Sequence, residues 1–409
     1  MKCRHCQHAL QNVFLDLGFA PPSNAYLGAA DLHKPELYFP LRLFACEQCW
    51  LVQTEDFARA DELFAADYAY FSSASTSWLD HAARYCAAIT KRLALDKNSF
   101  VIEVASNDGY LLKNFVAAGI PCLGIEPTAG TAAAAKALGI PVRGEFFGEK
   151  LGRDLAANKR AADLIIGNNV YAHVPDINDF TRGLKAALKP GGTITLEFPH
   201  LMELLAHNQF DTVYHEHFSY LSLYTVSRIF GEAGLRVFDV EQIPTHGGSL
   251  RVYGCHRDDK RGETPAVPAL LGREEQAGLR RIDTYLGFQD KADRVKNDFV
   301  AFLLEQKKAG RKVAGYGAAA KGNTLINYAG IKPDLLPYVC DAAPSKQGKF
   351  LPGSHIPVLP PSAIAERRPD IIVILPWNIA NEVTKQLAHA RSWKAQFITA
   401  IPDLREVAV

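Results

Sequence analysis

The chain has 409 residues, 48% hydrophobic and 22% charged, which is enough for two or three domains with cores of their own. A net charge of +1 and a pI near 7.6 leave no electrostatic footprint for nucleic acid or an anionic membrane. No apolar run approaches the length of a membrane span, and the opening "MKCRHCQHAL" lacks the apolar core of a secretion signal, so a cytoplasmic protein is expected.

In a reducing compartment the eight cysteines are expected as thiols or metal ligands rather than disulfides. Four of them form a pattern, Cys3-x-x-Cys6 and Cys46-x-x-Cys49. Each pair puts two sulfurs on a tight turn, and two such turns facing each other make a tetrahedral site for a structural zinc. The ion would staple an amino-terminal lobe, residues 1–65, that has little core of its own. Cys86, Cys122, Cys255 and Cys340 are isolated and read as packing residues.

A central domain is expected over 66–265. Apolar residues recur at helical spacing from Trp78 to Leu95, behind a Ser/Thr-rich start. Phe100 to Ala105 then reads as a strand, Ser106 to Gly109 as a turn and Tyr110 to Ala118 as a helix. A second strand, Cys122 to Ile125, ends at Glu126, and another helix runs through Ala137. This βαβα order implies an α/β fold with a doubly wound, mostly parallel sheet, whose strand ends take a nucleotide or nucleoside cofactor.

The turn "EVASNDG" lacks the G-x-G-x-x-G that seats a pyrophosphate, which disfavours NAD here. Carboxylates at Glu103 and Glu126 suit a cationic ligand with ribose hydroxyls, such as S-adenosylmethionine. Glu126, beside Pro127, would accept the hydroxyls, and Asn107, Asp108 and Gly109 would line the amino-acid end. The plainer alternative is a strand-ending carboxylate that only caps a helix. A third strand, Asp163 to Gly167, leads into Asn168 and Asn169, and a "KPGG" turn leads into Thr193 to Glu197. The order resembles that of class I methyltransferases, with Ala105 standing where most of them have glycine.

"VYHEHFSY" follows, with Tyr214, His215, Glu216 and His217 in a row. In an extended segment the two histidines share one face and the glutamate takes the other; in a helix the three fan apart. Neither arrangement converges on a metal, and the spacing is not H-E-x-x-H. A histidine here is better suited to moving protons near neutrality. For His215 the simpler expectation is a packed, satisfied ring. "HGGSLRVY" should turn into the last strand of the domain, its glycines allowing close approach.

Residues 266–310 are expected to link two domains through one long amphipathic helix, from about Arg273 to Ala309, with its charges on a solvated face. A smaller Rossmann-like domain is expected over 311–409. Its turn Gly315-Tyr316-Gly317-Ala318 opens a helix followed by Lys321, an anion site apt for a sugar diphosphate, with Asn323, Asp341 and Lys346 nearby. The same turn supports an NAD-dependent oxidoreductase as a rival, although Lys346 and Lys349 after Asp341 suit phosphate better than a ribose diol.

Taken in order, the paired C-x-x-C, "YFSSASTSW", "VIEVASNDGYLL", "NNVYAHVPD", "YHEHFSYLS", "HGGSLRVY" and "GYGAAAKGNTLINY" resemble the nucleotide-sugar C-methyltransferases that act on carbon 3 of 4-keto-deoxysugars. The resemblance covers nearly all of the chain. It implies a zinc lobe, a central methyltransferase domain using S-adenosylmethionine, and a C-terminal domain that helps to hold the nucleotide sugar. It also implies a base that removes the proton beside the ketone. Carried onto matching positions, it makes His217 that base, Glu216 and Tyr214 its supports or sugar contacts, and His173 and Asn169 the groups that polarise the enolate oxygen. Tyr70, with Tyr68 as its alternative, would close over the pocket. Transfer to an oxygen or nitrogen of a nucleotide sugar needs no enolate and is the other alternative.

Overall fold

A computed structural model describes residues 1–55, 71–74 and 76–407. Near the amino terminus, strand β1 (Asn12–Ala20) turns Phe14, Leu15 and Leu17 inward and pairs antiparallel with β2 (Phe39–Ala45), which pairs with β3 (Val52–Thr54). The fourth strand of this sheet, Ser219–Tyr220, arrives from the middle of the chain and lies antiparallel to Val52 and Gln53.

The central sheet is built from β4 (Val101–Val104), β5 (Cys122–Ile125), β6 (Val142–Arg143), β7 (Ala162–Asn168) and β8 (Leu188–Pro199). After β9, the Ser219–Tyr220 strand lent to the first sheet, it is completed by β10 (Leu235–Ile243) and β11 (Ser249–His256). Its order is β10-β11-β8-β7-β4-β5-β6, parallel from β8 to β6, with β11 antiparallel to both neighbours. β4 is buried along its whole length, as a strand covered on both faces must be. The doubly wound, mostly parallel sheet expected from the βαβα order is therefore present. The "KPGG" turn is drawn into the start of β8, with Gly191 at φ +78.

The third sheet contains β12 (Val313–Tyr316), β13 (Val339–Cys340), β14 (Val358–Leu359), β15 (Ile371–Ile374), β16 (Gln396–Thr399) and β17 (Arg405–Glu406). They stand in the order β14-β13-β12-β15-β16-β17, parallel except for β17.

The single linking helix expected between the second and third sheets is three helices, Ala266–Gln276, Ile282–Leu286 and Gln289–Lys308. Gly278 breaks the first by taking φ +82, and a Cβ there would lie 2.4 Å from Thr284 Oγ1. Its charges are not all solvated either: Glu274 is buried and accepts hydrogen bonds from Leu223 N, Tyr224 N and His200 Nε2.

The three sheets meet along one seam. The loop after β1 crosses to the third sheet, where Leu27 and Phe350 exchange backbone hydrogen bonds and Asn323 Nδ2 donates to Ser23 O. From the other side Thr324 Oγ1 donates to Val213 O. No helix among the described residues is long and apolar enough to cross a membrane.

Candidate active site

The sulfurs of Cys3, Cys6, Cys46 and Cys49 all lie within 4.8 Å of one another, with two contacts at 3.5 Å. A zinc with bonds of about 2.3 Å sets tetrahedral sulfurs about 3.8 Å apart, so the four thiols fit that ion. Gln53 Nε2 donates to Cys3 Sγ at 3.2 Å. Four protein ligands leave no open position for a reacting molecule, so the cluster is structural.

At the carboxyl end of β4 the backbone enters the left-handed region at Ala105 (φ +56), Asn107 (φ +49) and Gly109 (φ +80). Asparagine and glycine tolerate that region; alanine there costs roughly 1–2 kcal/mol, and such strain collects at functional turns. Glu126 locks the turn by accepting Asn107 N and Thr128 N, both at 2.9 Å. Burial, with Glu126 and Asp108 nearby, pushes the Glu103 carboxyl well above its usual range. Among the described residues, Asp108 Oδ1 and both side-chain polar atoms of Asn168 are buried without a hydrogen-bond partner. Orphaned polar atoms at the carboxyl ends of β4 and β7 suit a polar ligand there, and with Glu126 these residues fit a nucleoside such as S-adenosylmethionine. The described part of the "YFSSASTSW" segment reaches this loop: Ser72 N donates to Asn107 Oδ1 and Ser73 N to Asp108 Oδ2. Tyr68 and Tyr70 lie outside the described residues.

The "YHEH" segment is sorted by its hydrogen bonds. His215 Nε2 approaches the Phe39 and Pro40 carbonyls at 3.3 and 3.2 Å and packs on Phe39, which is a structural task. His217 is buried, and its Nδ1 donates to Thr212 O at 2.9 Å. That bond fixes the tautomer and leaves the Nε2 lone pair as the basic position. Burial first, then the neighbouring His173, holds His217 well below the usual imidazole range, so the ring is neutral. The Tyr214 ring packs against it with a 35° tilt and centroids 3.9 Å apart, and the His173 ring meets it edge-on at 4.6 Å.

Burial lowers His173 to about 4. A neutral imidazole donates from one nitrogen and accepts at the other. Asn169, left-handed at φ +52, directs Nδ2 to His246 Nε2 at 3.1 Å and has a second amide hydrogen to give.

In the third sheet the expected anion site divides. Lys321 reaches across the seam: its ammonium donates to Asn378 Oδ1, lies 4.7 Å over Trp377 and acts electrostatically on His217 and His246. At Gly317, where φ is +89, a Cβ would fall 2.3 Å from Pro376 Cδ. Ala318 N already donates to Asp341 Oδ2 at 2.7 Å, and Asp341 Oδ1 accepts Ala343 N. Asp341 therefore braces its own loop. Lys346 donates to Ala318 O, Tyr316 is buried in the sheet, and Asn323 is spent on Ser23.

Several residues at the seam carry no motif. Asn24 Nδ2 donates to both carboxylate oxygens of Glu216 at 2.9 Å, and the Tyr26 hydroxyl donates to Ala318 O. Trp377 Nε1 donates to Asp211 Oδ2 at 2.8 Å, and burial pushes Asp211 up to about 6. Only the Pro21-Pro22 turn beside a polar Ser23-Asn24 step marks the first pair in the sequence.

Residues 3–64 match the family model of a zinc binding domain, 78–240 that of a methyltransferase domain, and 244–402 that of a C-methyltransferase C-terminal domain. Over 407 residues the chain is 33% identical to C-methyltransferase NovU of Streptomyces niveus, covering 100% of this chain and 97% of that one. It is 30% identical over 98 residues to the uncharacterized methyltransferase MLBr02584 of Mycobacterium leprae, spanning 24% of this chain and 36% of that protein. Among solved structures it is similar to the PH0226 protein of Pyrococcus horikoshii OT3, at 14% identity over 46% of this chain and 94% of that one, with a TM-score of 0.38.

Proposed function

The chain belongs to the C-methyltransferases that join a zinc binding domain, an S-adenosylmethionine-dependent methyltransferase domain and a C-methyltransferase C-terminal domain, and from that premise we propose that it methylates carbon 3 of a nucleotide-linked 4-keto-6-deoxysugar through an enolate. One observation carries the proposal: a buried, neutral histidine whose Nδ1 is engaged at Thr212 O and whose other nitrogen can take a proton, at a seam that also holds Lys321.

A carbon beside a ketone becomes nucleophilic only when its proton is removed, and a base at neutral pH must already be unprotonated. His217 Nε2 takes that proton; the electrons of the broken C–H bond pass into the enolate, and the Thr212 carbonyl stabilises the imidazolium that forms. The second amide hydrogen of Asn169 and the charge of Lys321 face the developing oxyanion, where a buried site makes each count for more than in water. His173 and Glu216 accept hydrogen bonds from sugar hydroxyls, and Tyr214 keeps the His217 ring in plane. Asp108, Asn168 and Glu126 hold the donor. When bound, S-adenosylmethionine supplies the electrophilic methyl carbon. Lys321 and Lys346 are the cations available to the diphosphate.

The test is mass spectrometry of methyl transfer over a panel of nucleotide-linked 4-keto-6-deoxysugars, with hydrogen exchange at carbon 3 followed in deuterated water without donor. Addition of one methyl group at carbon 3, with exchange there, is the expected result. Methylation at oxygen or nitrogen, with no exchange at carbon 3, would replace the enolate by simple transfer to a heteroatom.

A further inference from the structure

The amino-terminal lobe does more than carry a metal, because it grips the proton-moving segment at several points. β9 follows directly on His217 and Phe218 and is a strand of the lobe's own sheet. Thr54 Oγ1 donates to His217 O and Thr54 N to Phe218 O, each at 3.2 Å, and the Phe39 and Pro40 carbonyls hold His215. These contacts fix the backbone around His217. The loop after β1 goes further and reaches a functional side chain.

We propose that Asn24 is a positioning residue of the reaction, acting through Glu216, and that the lobe is in this way part of the catalytic machinery. Glu216 is only 3% exposed, so its carboxylate has little water to orient it. Asn24 places one nitrogen 2.9 Å from each carboxylate oxygen, and a donor shared between the two oxygens fixes the plane of the group. Glu216 is also the residue directly before His217, whose ring meets that of His173 edge-on at 4.6 Å.

The loop is itself anchored on the far side of the seam. Tyr26 donates to Ala318 O, the carbonyl that Lys346 Nζ also meets at 2.8 Å, and the Lys346 ammonium lies 5.6 Å over the Tyr26 ring. Ser23 O accepts from Asn323 Nδ2. Asn24 therefore stands on a short bridge with its neighbours pinned to the third sheet and its own amide on the central domain. A residue so held can set an angle, where a surface residue in the same contact would follow the carboxylate as it moved.

The proposal rests on the assignment of Glu216 to the sugar, so one readout is chosen that needs no methyl acceptor. In zinc-loaded, full-length Asn24→Ala, amide hydrogen exchange over residues 213–220 should quicken relative to the wild type, with zinc content and S-adenosylmethionine affinity retained. With whichever acceptor the wild type methylates, kcat should fall roughly tenfold to hundredfold, the loss of one hydrogen bond to a buried charge, with little change in KM for the donor. In a Glu216→Ala background the Asn24→Ala change should cost nothing further, because its partner is already gone. Unchanged exchange over 213–220 overturns the proposal. So do losses that add fully in the double variant, since they would mean that Asn24 acts on the fold and not through Glu216. A wild type inactive on every 4-keto sugar would instead count against the substrate assignment and leave the exchange result standing on its own.

Discussion

In the proposed reaction His217 is the base, and its burial has two measurable effects. As a base it needs no prior deprotonation, so His217→Asn should lower turnover by about 10²- to 10⁴-fold while S-adenosylmethionine still binds, as titration calorimetry would show. Burial also affects stability. In the unfolded chain this imidazole takes a proton near pH 6.5, whereas in the fold it does so only well below that. Between those two points the unfolded state binds more protons, so the group costs no stability above about pH 6.5 and a growing amount as pH falls below it. The fall in melting temperature between pH 6.5 and pH 5 should therefore be smaller in His217→Asn than in the wild type. The family resemblance of "YHEH" singles out His217 as the candidate base, but its tautomer is not legible in the sequence. The tautomer depends on Thr212 O, which the chain brings round through a short 3₁₀ turn, Phe210–Thr212, that has no periodicity to read.

Among the elements, those with a period or a turn signal were legible and those defined by a remote partner were not. β4 and β5 stand out as short apolar runs closed by "SNDG" and "EPT", and the structure puts them within a residue or so of that reading. The linking helix misled because apolar residues keep a helical spacing through Gly278, and the preference of that glycine for φ +82 outweighs the pattern. Its buried Glu274 was hidden for the same reason: on a helix taken as solvent-facing, a carboxylate looks ordinary. In fact it satisfies the first turn of the helix Leu223–Ala233 and pairs with buried His200 at 2.7 Å. Glu274→Ala should therefore destabilise the protein by about 3–5 kcal/mol in urea unfolding, because it strands a buried imidazole and two backbone N–H groups. Glu274→Gln, which keeps acceptors for part of that set, should lose less.

Across the whole molecule, cysteine spacing identified the metal cluster, but nothing in the sequence placed the lobe against the reaction site. Asn24 and Glu216 are 192 residues apart, and contacts of that separation leave no local signature. The arrangement separates two consequences of losing the metal. Cys46→Ser should lower the melting temperature sharply, while the S-adenosylmethionine affinity of the protein that remains folded stays within about twofold, since Glu126, Ser72 and Ser73, which hydrogen-bond the donor loop, belong to the central domain. Scanning calorimetry and donor titration on the same preparation would check both.

The membership of β9 in the first sheet also sets a timetable for synthesis. Val52 and Gln53 emerge from the ribosome about 165 residues before Tyr220 and Ser219, a delay on the order of 10 to 30 s at 5–20 residues per second. For that interval β3 has an open edge, and an open edge is where chains pair wrongly. Thiolates that capture zinc early would hold β1 to β3 in register through the wait. In a cell the ion would then act as a co-translational clamp, in place before the central sheet exists.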